Sequence, residues 1–249
     1  LFDGDQAIGV EVESAGETFI VEGSEIVLCA GGIASPQLLL LSGVGPSDQL
    51  AEHGIPIVKD LPGVGQNLRD QPLVTVELEP KNGIKLATVE PRIQSGLRYT
   101  AEGSDTRNDM QIFPSSFTGR RAGDPLQGRS PDRPQGMRIT CILNVTDSAG
   151  ELTIVSADPS DQPRLEFRYF ETEWDRQRMR EAIYLSLQFL EHSSFEAIVE
   201  RRISPTDADL ATDDSLDAWL RQNTATTQHT SGTCKMGPES DPMAVVDQY

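Results

Sequence analysis

The stretch Thr226–Gly237, reading TTQHTSGTCKMG, holds the residues best suited to chemistry. It is dense in small and hydroxyl-bearing side chains, and Gly232 and Gly237 let its backbone press against a flat ligand. His229 is the histidine of this loop, and imidazole is the side chain most able to accept a proton near neutral pH. By residue type alone, His229 is either such a base or a packing histidine. Cys234 lies in the same loop, but a cysteine nucleophile needs a base and a group that orients the base. His229 is its only neighbouring base and no orienting acid accompanies it, so cysteine hydrolysis is set aside. His53 and His192 close expected helices, where the negative end of the helix dipole accounts for them. Cys29, Cys141 and Cys234 lie far apart, with neither a CxxC nor a Cys/His ligand spacing, so no metal site is expected. Two Gly-Val-Gly runs, at 43–45 and 63–65, lack the third glycine of a dinucleotide fingerprint. Neither links a strand to a helix, so neither is a primary phosphate loop.

The element most able to hold a large ligand against main chain is Glu25–Gly45. Ile26–Cys29 reads as a short buried strand. Gly31 and Gly32 permit a tight turn and close approach of another group. Ser35 suits a helix N-cap and Pro36 the first helical position. Leu38–Leu41 is apolar on all sides, as in a buried helix, and Ser42-Gly43 stops it. This shape fits either an ordinary packing unit or a cofactor cradle.

Before it, Leu1–Ile26 reads as a hairpin with turns at Gly4-Asp5 and Ser14–Glu17. After it come a short helix capped by Ser47 and ending at His53, a strand at Ile55–Val58 and a glycine loop at Pro62–Leu68. A domain boundary falls near Gln71, where Leu73–Leu78 begins to alternate as an antiparallel strand. Met110–Phe113, Met137–Val145 and Glu151–Ser156 are further strands, the last two paired across Asp147–Gly150. Glu102–Asp109 and Gly119–Pro134 are loops by composition. Thr172 and Asp175 form a capping box for a helix in which Met179, Ile183, Leu187 and Leu190 share a face. A shorter helix at Phe195–Glu200 follows, then a turn from Ser204-Pro205. The last helix is capped by Asp213 or Asp214 and gathers Leu216, Trp219 and Leu220 on one face.

The chain has 249 residues, enough for one large or two smaller domains, and a net charge of −18. That charge argues against nucleic acid and anionic membrane surfaces, and Arg120-Arg121 is too short a basic cluster to reverse it. No apolar run approaches the ~20 residues of a membrane span. The acidic pairs read as a solvated face. Dispersed thiols point to a reducing, cytoplasmic compartment. Leu1 in place of Met, and strand-like patterns at both ends, lead to the expectation that this is a piece of a longer polypeptide.

Taken together, these stretches resemble the glucose–methanol–choline oxidoreductase family, which uses FAD. Ala30–Gly45 (AGGIASPQLLLLSGVG) is similar to that family's second signature, and Leu61–Asp70 (LPGVGQNLRD) to the loop that follows it. Asp158-Pro159 through Tyr169 resembles the crossing from the substrate-domain sheet. His229–Gly237, then Val245–Asp247, resembles the catalytic histidine loop and its following strand. The resemblance implies an α+β / α/β fold. Residues 1–71 would be part of an FAD-binding Rossmann-like domain, and 72–224 a substrate domain with an antiparallel β-sheet flanked by helices. Residues 225–249 would return to the FAD-binding domain. Ala30, Gly31 and Gly32 would lie near the adenosine part of FAD, with Ser35 in the same cofactor-binding segment, and His229 would be catalytic.

The activity implied is oxidation of a small-molecule alcohol: His229 takes or orients the hydroxyl proton and hydride passes to flavin N5. Electrons then leave to oxygen, a quinone or a carrier protein. The family's phosphate loop would precede this chain, and its second active-site residue would follow Tyr249. A hydroxynitrile lyase-like member, keeping FAD for structure, and a non-catalytic module are the other readings. Three departures stand out. Gly32 replaces a more usual Ala. Gln71 replaces the histidine that commonly follows the Asp, which should alter a local contact and need not abolish chemistry. Asn144–Gly150 lacks the usual Pro and Arg.

Overall fold

The computed structural model describes residues 1–84, 93–118 and 135–249, which form two compact units. One comprises Leu1–Arg69, Ala149–Phe167 and Thr230–Tyr249; the other comprises Asp70–Ser148 and Arg168–His229. The loop expected over Gly119–Pro134, with Arg120-Arg121, lies outside the described residues.

The second unit is built on an antiparallel sheet. Its strands run in the order Val199–Ser204, Pro72–Pro80, Gln135–Leu143, Met110–Thr118 and Leu97–Tyr99. Ala225–Thr226 also pairs with the start of Pro72–Pro80. Alternation in Leu73–Leu78 suggests one buried face, but the strand is buried on both faces from Pro72 to Val76. Val74, Val76, Ile112, Ile139 and Leu143 form the core with Met179, Ala182 and Ile183 of the Glu173–Leu190 helix. Leu216, Trp219 and Leu220 of the Asp213–Asn223 helix join them, as their shared face suggests. Cys141 is buried here; the apolar surroundings push its thiol pKa up to about 12, so it serves as packing.

Several local expectations change for physical reasons. Thr172 does cap the long helix, accepting from the Asp175 N–H at 3.2 Å. The Asp175 side chain turns elsewhere: its carboxylate accepts the Asp147 and Ser148 N–H groups at 2.9 and 2.8 Å. Those two residues therefore do not turn a hairpin. Gln135–Leu143 and Gly150–Thr153 lie in different sheets, and Gly150–Thr153 pairs with Arg164–Glu166 and with Gln66–Leu68. This pairing is why residues 149–167 join the first unit, whereas the sequence reading ran the middle domain unbroken from 72 to 224. The Phe195–Glu200 helix is a short turn at Ser193–Glu196, followed by the strand Val199–Ser204 on the sheet edge. The final helix is capped by Thr212, in a reciprocal capping box with Ser215, not by Asp213 or Asp214.

In the first unit, Gly9–Ser14 and Glu17–Glu22 form the expected hairpin. Leu40, Leu50, Ile55, Val64, Leu152 and Ile154 make its core, which fixes the Gly31–Leu41 and Ser47–Glu52 helices. The Ser47 N–H donates to Asp60, so capping comes from a distant carboxylate and not from Ser47. Ile55–Val58 forms no strand; the parallel pair is Val44–Gly45 with Lys59–Asp60. Ile26–Cys29 is likewise not a strand. It has no pairing partner among the described residues, and Val27 is 72% exposed. Among the described residues, no helix is long and apolar enough to cross a membrane.

The helix of the second unit is anchored by one buried cation. Arg178, 2% exposed, donates to Asp109 at 3.0 Å and to Asp175 at 2.6 Å, and lies 5.0 Å from the Trp174 ring centroid. Burial works to raise the Asp109 pKa, but hydrogen bonds from the Ala101 N–H, Ser104 and Arg178 hold it below the usual carboxylate value. Replacing Arg178 by Ala strands two buried carboxylates, and we expect a loss of about 3–5 kcal/mol in urea unfolding. A midpoint unchanged from wild type would show that the network contributes nothing.

Candidate functional site

Three stretches far apart in sequence meet within the first unit. Helix Gly31–Leu41 starts four residues before the expected cap: Ala30 is its N-cap, and the Ser35 hydroxyl reaches back to accept the Ala30 N–H at 3.0 Å. Pro36 sits inside the helix, not at its first position. Proline has no N–H, so the carbonyl four residues earlier, that of Gly32, receives no helical hydrogen bond. The Thr233 hydroxyl donates to that oxygen at 2.6 Å. Gly31 adopts φ +80, a conformation that favours glycine, and Gly32 is required by contact. A Cβ on Gly32 would stand 2.7 Å from the Thr230 carbonyl oxygen.

The glycine loop completes this interlock. Gly65 donates its N–H to the Thr233 carbonyl at 2.9 Å, and Asn67 Nδ2 donates to the Gly232 carbonyl at 3.1 Å. Arg69 and Ser231 exchange two backbone hydrogen bonds of 2.8 and 2.9 Å. The histidine loop is thus held from Thr230 to Thr233 by backbone groups of both glycine stretches. Downstream, Val245 and Gly237 join Lys235 and Val246 in a parallel bridge around Met236, the short form of the strand expected there.

His229 belongs to the second unit and is held by different means. Its N–H donates to Asp70 Oδ1 at 2.9 Å. Asp70 Oδ2 accepts from the Tyr169 and Thr226 hydroxyls, each at 2.5 Å, and Oδ1 from Thr227 at 3.2 Å. Gln228, just before the histidine, takes the left-handed φ of +64, and its N–H donates to the Thr226 hydroxyl at 2.8 Å. A non-glycine residue in that region is uncommon and turns the chain sharply. The imidazole is exposed, and its Nδ1 lies 2.7 Å from Gln71 Oε1. Gln71 Nε2 donates to the Asn144 carbonyl at 3.2 Å.

Burial works to raise the Asp70 pKa. The Thr226 and Tyr169 hydroxyls and the N–H groups of Gln71 and His229 outweigh it, leaving Asp70 below the ordinary carboxylate value. The same contact and burial drive the Tyr169 phenol far upward, so it remains a donor. Burial raises the Cys234 thiol pKa, the wrong direction for a nucleophile. His192 Nδ1 accepts the Ser194 N–H at 3.2 Å, so His192 is there as the cap of the following turn and not for the dipole of the helix before it. Among the described residues, no cluster of His, Cys, Asp and Glu could hold a metal ion.

Of the residues singled out by sequence, Ala30, Gly31, Gly32 and Ser35 share the start of one helix, and His229 lies in the other unit. Sequence reasoning passed over Asp70, Tyr169, Thr226 and Thr233 as site-building residues. The only signals were that Asp70 ends one motif and that the histidine loop is rich in hydroxyls. Gln71 was marked as a departure, and its local contact proves to be His229 itself.

Residues 1–73 and 146–249 match the N-terminal and C-terminal models of one family, both described as GMC oxidoreductase. The chain belongs to the GMC oxidoreductase family. An oxygen-dependent choline dehydrogenase of Photobacterium profundum is 35% identical over 261 residues, covering 98% of this chain and 46% of that protein. Another, of Brucella ovis, is 33% identical over 266 residues, covering 99% of this chain and 48% of its own length. Pyridoxine 4-oxidase from Mesorbium loti has a TM-score of 0.81 at 26% identity, covering 99% of this chain and 47% of that one. Formate oxidase shares the fold with a TM-score of 0.78 at 23% identity, over 93% of this chain and 48% of its own. The chain therefore spans about half the length of the relatives it matches.

Two outcomes are expected. Thr233 is 1% exposed, and Thr233→Val leaves the Gly32 carbonyl without its donor. This should cost about 1–3 kcal/mol in denaturant unfolding, with Thr233→Ser retaining most of the stability. Equal midpoints for the Val and Ser variants would mean the hydroxyl is idle. The folded Asp70 pKa lies below the unfolded value of about 3.9, so its contribution is full above that pH and is lost as pH falls through the folded pKa. Asp70→Asn should therefore be less stable than wild type at pH 7, with the difference shrinking on acidification below about pH 4. A difference that stays constant from neutral to acid pH would exclude the linkage.

Proposed function

We propose that this chain forms part of an FAD-dependent oxidoreductase that oxidises the CH–OH group of a small-molecule alcohol, with His229 as the base. The observation that carries this reading is the placement of His229. Asp70 pins its backbone while the ring stays exposed, in a chain whose family is named for oxidoreductases. FAD, when bound, supplies the hydride acceptor, so the chemistry of electron transfer is the cofactor's and the protein supplies position and charge.

The residues present fit such a cofactor. The Gly31–Leu41 helix begins with no side-chain cap for its first turn and no acidic residue there. Its free N–H groups favour an anionic or strongly polar group. A Cβ on Gly31 would meet nothing within 4 Å, so backbone lies open at that point. Ala30, Gly31, Gly32 and Ser35 would hold the cofactor, with Gly32 also committed to Thr230 and Ser35 to the Ala30 N–H. His229 would take the alcohol O–H proton onto its imidazole as the carbon–hydrogen bond releases hydride, so charge never accumulates on the substrate oxygen.

The relatives named for choline make a quaternary-ammonium alcohol the first substrate to test. Oxygen, a quinone or a carrier protein would receive the electrons. The three free thiols support a reducing, cytoplasmic setting.

In the intact protein carrying this chain, His229→Ala should slow anaerobic flavin reduction by alcohol about 10²–10⁴-fold while the bound flavin spectrum persists. Stopped-flow absorbance measures it. Reduction at the wild-type rate would remove His229 from the chemistry, and cyanohydrin cleavage without flavin reduction would replace the oxidase reading by a lyase.

A further inference from the structure

We infer that Gln71 is a positioning residue that sets the tautomer of His229, so that the neutral ring carries its proton on Nδ1 and leaves Nε2 as the nitrogen that accepts a proton. This deepens the proposed role of His229 and rests on it only for the use to which Nε2 is put.

An amide side chain can be turned over to exchange its oxygen and nitrogen, so its partners decide which is which. One partner of Gln71 is the Asn144 carbonyl, which can only accept, so the Gln71 nitrogen must face it, at 3.2 Å. The Gln71 oxygen is then the atom 2.7 Å from His229 Nδ1, and an amide oxygen can only accept. Nδ1 must therefore donate. A neutral imidazole has one N–H, so Nε2 is left with its lone pair. The Asn144 carbonyl is itself anchored, because the Asn144 N–H donates to the Asp109 carbonyl at 2.8 Å and its Nδ2 to the Asn108 carbonyl at 3.2 Å. The other end is anchored too, since the His229 N–H is fixed on Asp70 at 2.9 Å. With both ends held, the chain Asn144–Gln71–His229 has one consistent arrangement of protons.

This matters because an imidazole free in water favours the opposite form, protonated at Nε2, in which Nε2 cannot accept a proton. Neutral Gln71 brings no charge to the ring, so its effect is on which nitrogen is the base, not on a charged partner. Asp70, which could have been that partner, contacts the His229 backbone and not its ring.

The test is a long-range proton–nitrogen correlation spectrum of the intact protein with labelled histidines. It is recorded near pH 9, above the ordinary imidazole pKa of about 6.5. The signals missing from His229→Gln identify those of His229. We expect wild type to carry its proton on Nδ1 with Nε2 at the unprotonated position. Gln71→Glu keeps an acceptor and should keep that pattern; Gln71→Met removes it and should shift most of the population to Nε2–H. A wild-type spectrum with Nε2–H dominant overturns the inference, as does an unshifted pattern in Gln71→Met. If a variant fails to fold, the wild-type spectrum alone decides the tautomer. Because the readout involves no alcohol and no turnover, it can stand or fall independently of the stopped-flow result for His229→Ala.

Discussion

A single buried carboxylate, Asp70, sets the geometry of the histidine side of this chain. It accepts hydrogen bonds from Tyr169, Thr226, Thr227 and the His229 backbone. Acceptance by a charged group roughly doubles the strength of each bond. The donors come from Tyr169 and from the end of the unit, Thr226–His229, so the carboxylate gathers segments that lie 99 and 156 residues from it in sequence. Burial alone would push such a group toward its neutral form. Here the donors prevail, and the group remains an acceptor for all of them.

The first unit reaches a comparable result without charge. Its histidine-loop segment is fixed by close main-chain packing, which glycine allows, and by the neutral side chains of Thr233 and Asn67 bonded to main-chain carbonyls. Pro36 takes part by what it lacks. Its missing N–H frees the Gly32 carbonyl, which turns outward to receive Thr233. A proline that looks like a helix start thus works as the source of an acceptor, and its partner lies about two hundred residues away.

The sequence made the motifs legible because glycine, proline and histidine carry strong local constraints. Long helices were legible for the same kind of reason: the apolar spacing of Met179 and Ile183 matches the observed core. What was not legible required knowledge of distant partners. Asp175 reads as a capping residue by its distance from Thr172, yet its carboxylate is claimed by Asp147 and Ser148. Ile26–Cys29 has the composition of a buried strand, but a strand is defined by a neighbour, and none pairs with it among the described residues. Ser35 has the type of a cap and the hydroxyl does bond a backbone N–H, one turn further from the helix start than spacing suggests. For Asp175 and Ser35 the residue type was informative and only the partner was hidden, whereas for Ile26–Cys29 the types themselves pointed the wrong way.

Asp70 and Gln71 are adjacent in sequence and act on the same histidine by different routes. Asp70 holds the backbone, so its loss displaces the whole residue; Gln71 holds one ring nitrogen, so its loss leaves the residue in place and changes only where its proton sits. A rate measurement alone would not separate these, since under the role proposed for His229 either change would slow proton transfer. Stability against pH reports the first, because only Asp70 is ionised, and ring-nitrogen spectra report the second. The division lets a neutral amide stand beside the ring: the charge that steadies the loop is already provided one residue earlier, by the Asp70 carboxylate on the His229 main chain, leaving the ring contact to the amide of Gln71.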